Sequence, residues 1–287
     1  EEIGGAEVLC MALNAFGYVA FGPDHDDERI IRAQRLLDVA TEVGFAEYQA
    51  LAHFQLFLAC NSVVDLVGAR GHVQEAVRYA SGAALTQLLG VLTIYGGLVD
   101  ILAGRFDAGL ARYEAVADYM DEQGTSHGFE IRYIGRLATA IARDEYEDII
   151  DVLPTLDRDL PVRVRNAWVL ALARSGDTAG ARRVWGDTEP YQRDYFWRGM
   201  TALRAHAAAA LGDADVCRRC YDDLLPFAGT FAGVDSGSLY CGPVDAALAA
   251  TADVLGLASA AQYRVSAEHL IASTRSLLAD PAWLSGR

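Results

Sequence analysis

A turn signature that recurs six times along the chain constrains its fold most strongly. In each copy a glycine, or once an aspartate, precedes a small or apolar residue by five positions and a second, mostly larger one by nine. The copies are Gly71-Ala76-Ala80, Gly104-Gly109-Tyr113, Asp144-Ile149-Leu153, Gly176-Ala181-Trp185, Gly212-Cys217-Tyr221 and Gly256-Ala261-Val265. Positions 71, 104, 144, 176, 212 and 256 are 33, 40, 32, 36 and 44 residues apart. A helix-turn-helix unit of about 34 residues is the signature of tetratricopeptide repeats (TPRs).

Each position of this signature has a physical reason. Glycine ends the first helix in a left-handed conformation without a steric clash at Cβ. The small residue lets the second helix approach the first, and the larger residue one turn later fills the space above it. We therefore predict an all-α fold over residues 1–287, a single TPR-like α-solenoid of about seven antiparallel helix pairs. The glycine-rich segment 228–242 is the longest predicted connection between helices.

The charge balance excludes several classes of function. All 24 basic residues are arginine, so a lysine Schiff base and a P-loop lysine are impossible within this sequence. The net charge of −15 argues against nucleic-acid binding and against adsorption to anionic membranes. Five cysteines, an odd number, with no secretory signal ahead of them predict reduced thiols and a cytoplasmic location.

One uncharged stretch, from Tyr79 to Val99, has about the length of a membrane span. It contains four glycines and several polar residues, a composition that is unfavourable for a membrane helix. We interpret it as the junction of two buried helices.

The C-terminal third resembles a known family through three segments: 224–229 (LLPFAG), 241–244 (CGPV) and 249–256, which ends in Leu255-Gly256. These segments resemble the helical-repeat region of large actinobacterial regulators that carry a STAND-type ATPase. The resemblance covers residues 27–270 and is most specific over 195–260. The last repeat departs from the family, because residues 256–261 are uncharged where relatives carry a charged motif.

The resemblance implies a sensory or scaffolding role beside other modules. An adjacent ATPase and a LuxR-type DNA-binding or cyclase module would belong to the same polypeptide, and the first residues of the sequence suggest the cut end of such a longer chain. No cofactor and no catalytic residue are expected in this segment. Its partner would be a protein, a peptide or a small effector molecule.

Three motifs could carry chemistry, but each has a simpler structural interpretation. Asp235-Ser236 is similar to a serine-protease nucleophile sequence, yet an all-helical array does not supply the fold that this triad needs. Cys217 and Cys220 form one C-x-x-C pair without the four ligands that zinc requires, so core packing is favoured. The acidic run 24–28 precedes a predicted helix, where carboxylates cap amides and oppose the helix dipole. No metal site is predicted.

Solenoid geometry predicts where a ligand would bind. The first helix of each pair lines the concave face, and polar or aromatic residues on it read the ligand. The residues selected in this way are Asn61, Asp65, Arg163, Asn166, Tyr195 and His206. Two other hypotheses stay open: a free-standing TPR adaptor that holds a peptide tail, and a hydrolase that would use Asp235, Ser236 and Cys241 with a histidine.

Overall fold

A computed structural model describes residues 2–19, 22–124, 128–186 and 191–280. These residues form fifteen α-helices and no strand; a single β-bridge joins Phe231 and Pro243. The helices of the first half are α1 Glu2–Val19, α2 Asp26–Val43, α3 Ala46–Ser62, α4 Leu66–Gly82, α5 Thr86–Leu102, α6 Phe106–Glu122 and α7 Gly128–Arg143. Those of the second half are α8 Glu147–Ile150, α9 Leu153–Asp159, α10 Pro161–Arg174, α11 Thr178–Val184, α12 Trp197–Leu211, α13 Ala214–Leu224, α14 Val244–Val254 and α15 Ala260–Ala279.

The helices pack as neighbours in the chain. Seven successive pairs can be followed, α1/α2, α3/α4, α5/α6, α7/α8, α10/α11, α12/α13 and α14/α15, with α9 as an extra helix between the fourth and fifth. The predicted all-α class and the pairing of adjacent helices are therefore confirmed. The sequence pattern predicts one helix over 145–154, and this prediction is wrong, because Asp151 and Val152 separate α8 from α9 and Pro154 lies in the first turn of the second helix.

Corners between helices follow a twenty-residue rhythm in the first half. Residues 44, 64, 84, 104, 124 and 144 all have positive φ, and each is 20 residues from the next. Gly104 shows the common arrangement: its N–H donates to Ile101, and the N–H of Arg105 donates to the carbonyl of Asp100. This pattern satisfies helix carbonyls that the helix itself leaves open.

The predicted corner at Gly71 is wrong. Gly71 lies inside α4, and the chain turns at Val64 instead, with φ 63°. A β-branched residue is disfavoured in this conformation, so no glycine-based rule would select it. The other five predicted corners have positive φ in the structure, including Asp144 at 55°. The uncharged stretch from Tyr79 is divided by a corner at Ala84, as the interpretation of two helices requires.

The two halves of the chain also meet directly. Helix α15 packs against α5, where Arg105 donates to the carbonyl of Leu278. Near the start of α2, Asp24 accepts two hydrogen bonds from Arg193, which lies just before α12. These contacts bring the C-terminal pairs back onto the N-terminal pairs, with residues 228–243 between them.

Candidate functional site

The segment from Ala228 to Pro243, here called the central loop, is buried or half-buried from Thr230 onward. Its two ends are joined by backbone hydrogen bonds between Ala232 and Gly242 and between Cys241 and Ala232, both 2.8 Å long. Its tip packs on α3, and Gly237 has φ 74° with almost no space around it: a Cβ there would lie 2.7 Å from the ring of Phe57. Glycine is therefore required at the tip for conformation and for space.

A buried charge cluster holds the central loop in place. Arg198 on α12 is 2% exposed, donates to the carbonyl of Ser62 at 2.9 Å and lies 3.6 Å from the carboxylate of Asp235. Asp26, at the start of α2, lies 3.8 Å from the same guanidinium. Burial raises the pKa of Asp235, and the charge of Arg198 opposes that rise. One arginine thus joins the central loop, α2, α3 and α12.

A cavity of about 200 Å³, here called the central chamber, opens beside the central loop. Its apolar wall includes Ile141, Leu170, Leu203, Pro243, Ala246 and Ile271. Its polar and ionisable residues are Asp144, Tyr146, Arg174, His206, Tyr240, Cys241 and Arg275. Helices α7, α10, α12, α14 and α15 all contribute, so the chamber exists only because the C-terminal pairs fold back.

The ionisable groups of the chamber differ in their exposure to solvent. Asp144 and Arg174 are about half exposed, at 60% and 50% of their side chains, and form an ion pair of 3.4 Å. Arg275 is also exposed, whereas Cys241 is fully buried and His206 is partly buried. The charged groups therefore lie at the mouth of the chamber. Burial and, secondarily, the charge of Arg174 lower the pKa of His206 to about 4, so its imidazole is neutral at pH 7.

A second, narrower cavity of about 30 Å³ holds no more than one or two water molecules. The predicted residue Arg163 lines it together with Glu130, Tyr133 and Phe196. The guanidinium carbon of Arg163 lies 5.3 Å from the ring centroid of Phe196. Tyr195, another predicted residue, packs its ring 4.3 Å from the same phenyl group and is 37% exposed.

The other predicted residues have different surroundings. Asn166 is buried on the face of α10 that also carries Arg163 and Leu170, and its side-chain oxygen has no hydrogen-bond partner among the described residues. Asn61 is fully buried and accepts from the hydroxyl of Tyr95 at 3.1 Å. Asp65 accepts from the N–H of Gly68 at 2.9 Å and so caps α4. The structure thus places Arg163, Asn166, Tyr195 and His206 on or just before α10 and α12, and the other two at the α3–α4 corner.

Two residues of the chamber mouth were not predicted from the sequence. Arg174 lies one turn beyond Leu170, on the same face as Arg163, so the helical spacing of α10 was a usable signal. Arg275 carried no such signal, because its position depends on the packing of α15 against α5.

Two residues of the hydrolase hypothesis, Ser236 and Cys241, are held within the central loop. The hydroxyl of Ser236 donates to the carbonyl of Gly233 at 2.6 Å and accepts from the N–H of Leu239. Burial raises the pKa of the Cys241 thiol far above its usual range, which keeps it protonated. Within the described ranges, no hydrogen bond joins a histidine to Asp235, Ser236 or Cys241.

The surroundings of the other candidate motifs fit a structural role. Cys217 and Cys220 are both buried in α13. At the acidic run, α2 begins at Asp26 and has acidic residues in its first turn but no side-chain cap. Among the described residues, no group of three or more histidine, cysteine or carboxylate side chains is placed to hold a metal ion. The helices that the structure describes include none with the length and apolar character of a membrane span.

No protein-family model matches the chain, and neither the curated proteins nor the solved structures compared with it include a match.

Proposed function

We propose that this chain is a TPR-like α-solenoid that binds a small effector in its central chamber and carries out no covalent chemistry. In this proposal it is the sensory arm of a cytoplasmic, signal-responsive transcriptional regulator whose ATPase and DNA-binding modules adjoin it. The observation that supports this most directly is the chamber itself, a 200 Å³ space, open on one side, that is lined by five helices from distant parts of the sequence.

The closure of the chamber gives a physical route from binding to signalling. A ligand that contacts α7, α12 and α15 at once stabilises the arrangement in which the two halves are packed together. Binding changes the output only if the ligand prefers that arrangement to a more open one. Such a ligand would strengthen the contacts between α15 and α5.

The position of the central loop favours a small effector over a peptide tail. Residues 234–237 fill the space next to α3, and Tyr113 donates to the carbonyl of Ser238 at 2.7 Å. The adaptor hypothesis would require a peptide to displace this loop together with its buried charges. We therefore rank the free-standing TPR adaptor second and a hydrolase last.

Blocking the chamber tests the proposal. We expect some members of a metabolite collection to raise the melting temperature of the wild-type chain, because a ligand that binds only the folded state stabilises it. Ala246→Trp places a large side chain on the chamber wall and should abolish these shifts. Ala250→Trp is the matched control, since Ala250 is also partly exposed on α14 but does not line the chamber.

Two results would contradict the proposal: no compound stabilises the wild-type chain, or the stabilisation persists in Ala246→Trp. The role as a regulator arm has a separate test in the coding sequence that flanks this segment. A P-loop and a helix-turn-helix on the same polypeptide are expected, and their absence would favour the adaptor.

A further inference from the structure

The mouth of the central chamber carries a local charge opposite to that of the whole chain. Two arginines, Arg174 and Arg275, and one carboxylate, Asp144, line it. With His206 neutral at pH 7, the charge of the lining is two minus one, or +1, in a chain whose net charge is −15. A cationic opening in a strongly acidic protein selects anions over cations.

The two arginines differ in whether their guanidinium groups already form an ion pair. Arg174 uses Nε for its ion pair with Asp144, and both side chains are half exposed, so water weakens that pair. Arg275 has no ion pair among the described residues, although its charge acts on the phenol of Tyr240. Its guanidinium therefore has donors available for an incoming acceptor.

The chamber behind this mouth is mostly apolar. Ile141, Leu170, Leu203 and Ile271 come from four different helices and form its wall. A cavity of about 150 Å³ with such a lining holds benzene, so 200 Å³ accommodates a body of about eight non-hydrogen atoms. A phosphate ester with several charged oxygens would leave them unpaired against these side chains.

We propose that the ligand of the central chamber is a small monocarboxylate with an apolar body, whose carboxylate lies between Arg174 and Arg275 at the mouth and whose body contacts Leu170 and Leu203. A guanidinium matches a carboxylate in shape and can donate two parallel hydrogen bonds to it. This inference rests on the proposed function, because it names the ligand class of the same chamber.

Titration of the purified chain with four probes tests the ligand class. Benzoate and phenylacetate carry the expected groups, benzyl alcohol lacks the charge, and inorganic phosphate lacks the apolar body. We expect the two carboxylates to raise the melting temperature and to bind at least about tenfold more tightly than benzyl alcohol in calorimetry, with no binding of phosphate.

Arginine variants test the position of the carboxylate. Arg275→Gln should weaken benzoate binding about tenfold or more, and because Arg275 is exposed the variant should fold normally. Arg35→Gln is the control, since Arg35 is an exposed arginine on α2 that does not line the chamber. Equal affinity for benzyl alcohol and benzoate, tighter binding of phosphate, failure of both carboxylates to bind, or no effect of Arg275→Gln would each overturn the inference.

The failure of this inference is distinguishable from the failure of the proposed function. If neither carboxylate binds but neutral or cationic metabolites stabilise the chain in a manner that Ala246→Trp abolishes, only the ligand class is wrong. If no compound of any charge gives a shift that depends on Ala246, the chamber is not a ligand site and both proposals fail.

Discussion

At the scale of single residues, burial sets the protonation state of several groups. His53 on α3 has its Nδ1 3.0 Å from the Nδ1 of His72, and its ring stacks on Tyr79 with centroids 5.9 Å apart. Burial, and then the neighbouring charge on His72, lower the pKa of His53 to about 4. This pair lies between α3 and α4 and does not line the central chamber, so it affects the acid sensitivity of the fold rather than ligand binding.

His53 makes the fold sensitive to acid between pH 6.5 and 4. The unfolded chain binds a proton at this histidine below about pH 6.5 and the folded chain does not, so stability falls as pH falls through this window and is unaffected by this group above it. Replacing His53 with Gln should reduce the loss of unfolding free energy between pH 7 and pH 5 by about 1–2 kcal/mol, the lower end applying because His53 is only half-buried and water screens its charge. Urea unfolding at the two pH values measures it.

The control for this prediction is His269→Gln, because His269 is exposed on α15. Its pH dependence should match that of the wild type. An unchanged pH dependence in the His53 variant would show that this histidine is not responsible.

At the scale of elements, the helices were predictable and the corners only partly so. Amphipathic periodicity predicts a helix over 128–143, and these are the observed bounds of α7. A junction within 79–99 was predicted, but Ala84 was not predicted as the residue that turns, because alanine carries no preference for its φ of 55°. The fold tolerates it because the N–H of Leu85 still donates to the carbonyl of Ala80 and closes the turn.

A glycine at this corner should stabilise the protein. Ala84 is exposed, so Ala84→Gly removes the steric cost of the left-handed conformation without creating a cavity, and we expect a gain of about 1 kcal/mol in unfolding free energy. Ala111→Gly, at an exposed position inside α6, should instead cost about 1 kcal/mol. Equal losses in the two variants would contradict the assigned corner.

At the scale of the whole molecule, the pairs of helices could be predicted from the sequence, but the packing of the C-terminal pairs against the N-terminal pairs could not. The return of α15 onto α5 and the burial of the central loop depend on contacts between residues far apart in the chain, for which local periodicity has no signal. Four of the six predicted binding residues nevertheless lie on or just before α10 and α12, the first helices of their pairs. The place of Arg275 at the chamber mouth could not be predicted from helical spacing, because it depends on how α15 packs against α5.

Arg198 should be the residue on which this closure depends most. Removing it in Arg198→Met leaves Asp235 without its nearest buried partner, while Asp26 keeps Arg29 at 2.8 Å, and we expect a cost of about 3–5 kcal/mol of unfolding free energy. Adding Asp235→Asn to that variant should recover part of the loss, since the two residues interact directly. Additive losses in this double-mutant cycle, measured by urea unfolding, would show that the pair does not hold the central loop.

We propose that a small ligand occupies the chamber between the folded-back C-terminal pairs and the rest of the chain. A crystal structure of the chain with 4-bromobenzoate tests it most directly, because bromine is located by its anomalous scattering. We expect a bromine peak among Ile141, Leu170 and Leu203, with the carboxylate beside Arg174 and Arg275. A peak at another surface, or an empty chamber at concentrations that saturate binding in solution, would contradict it.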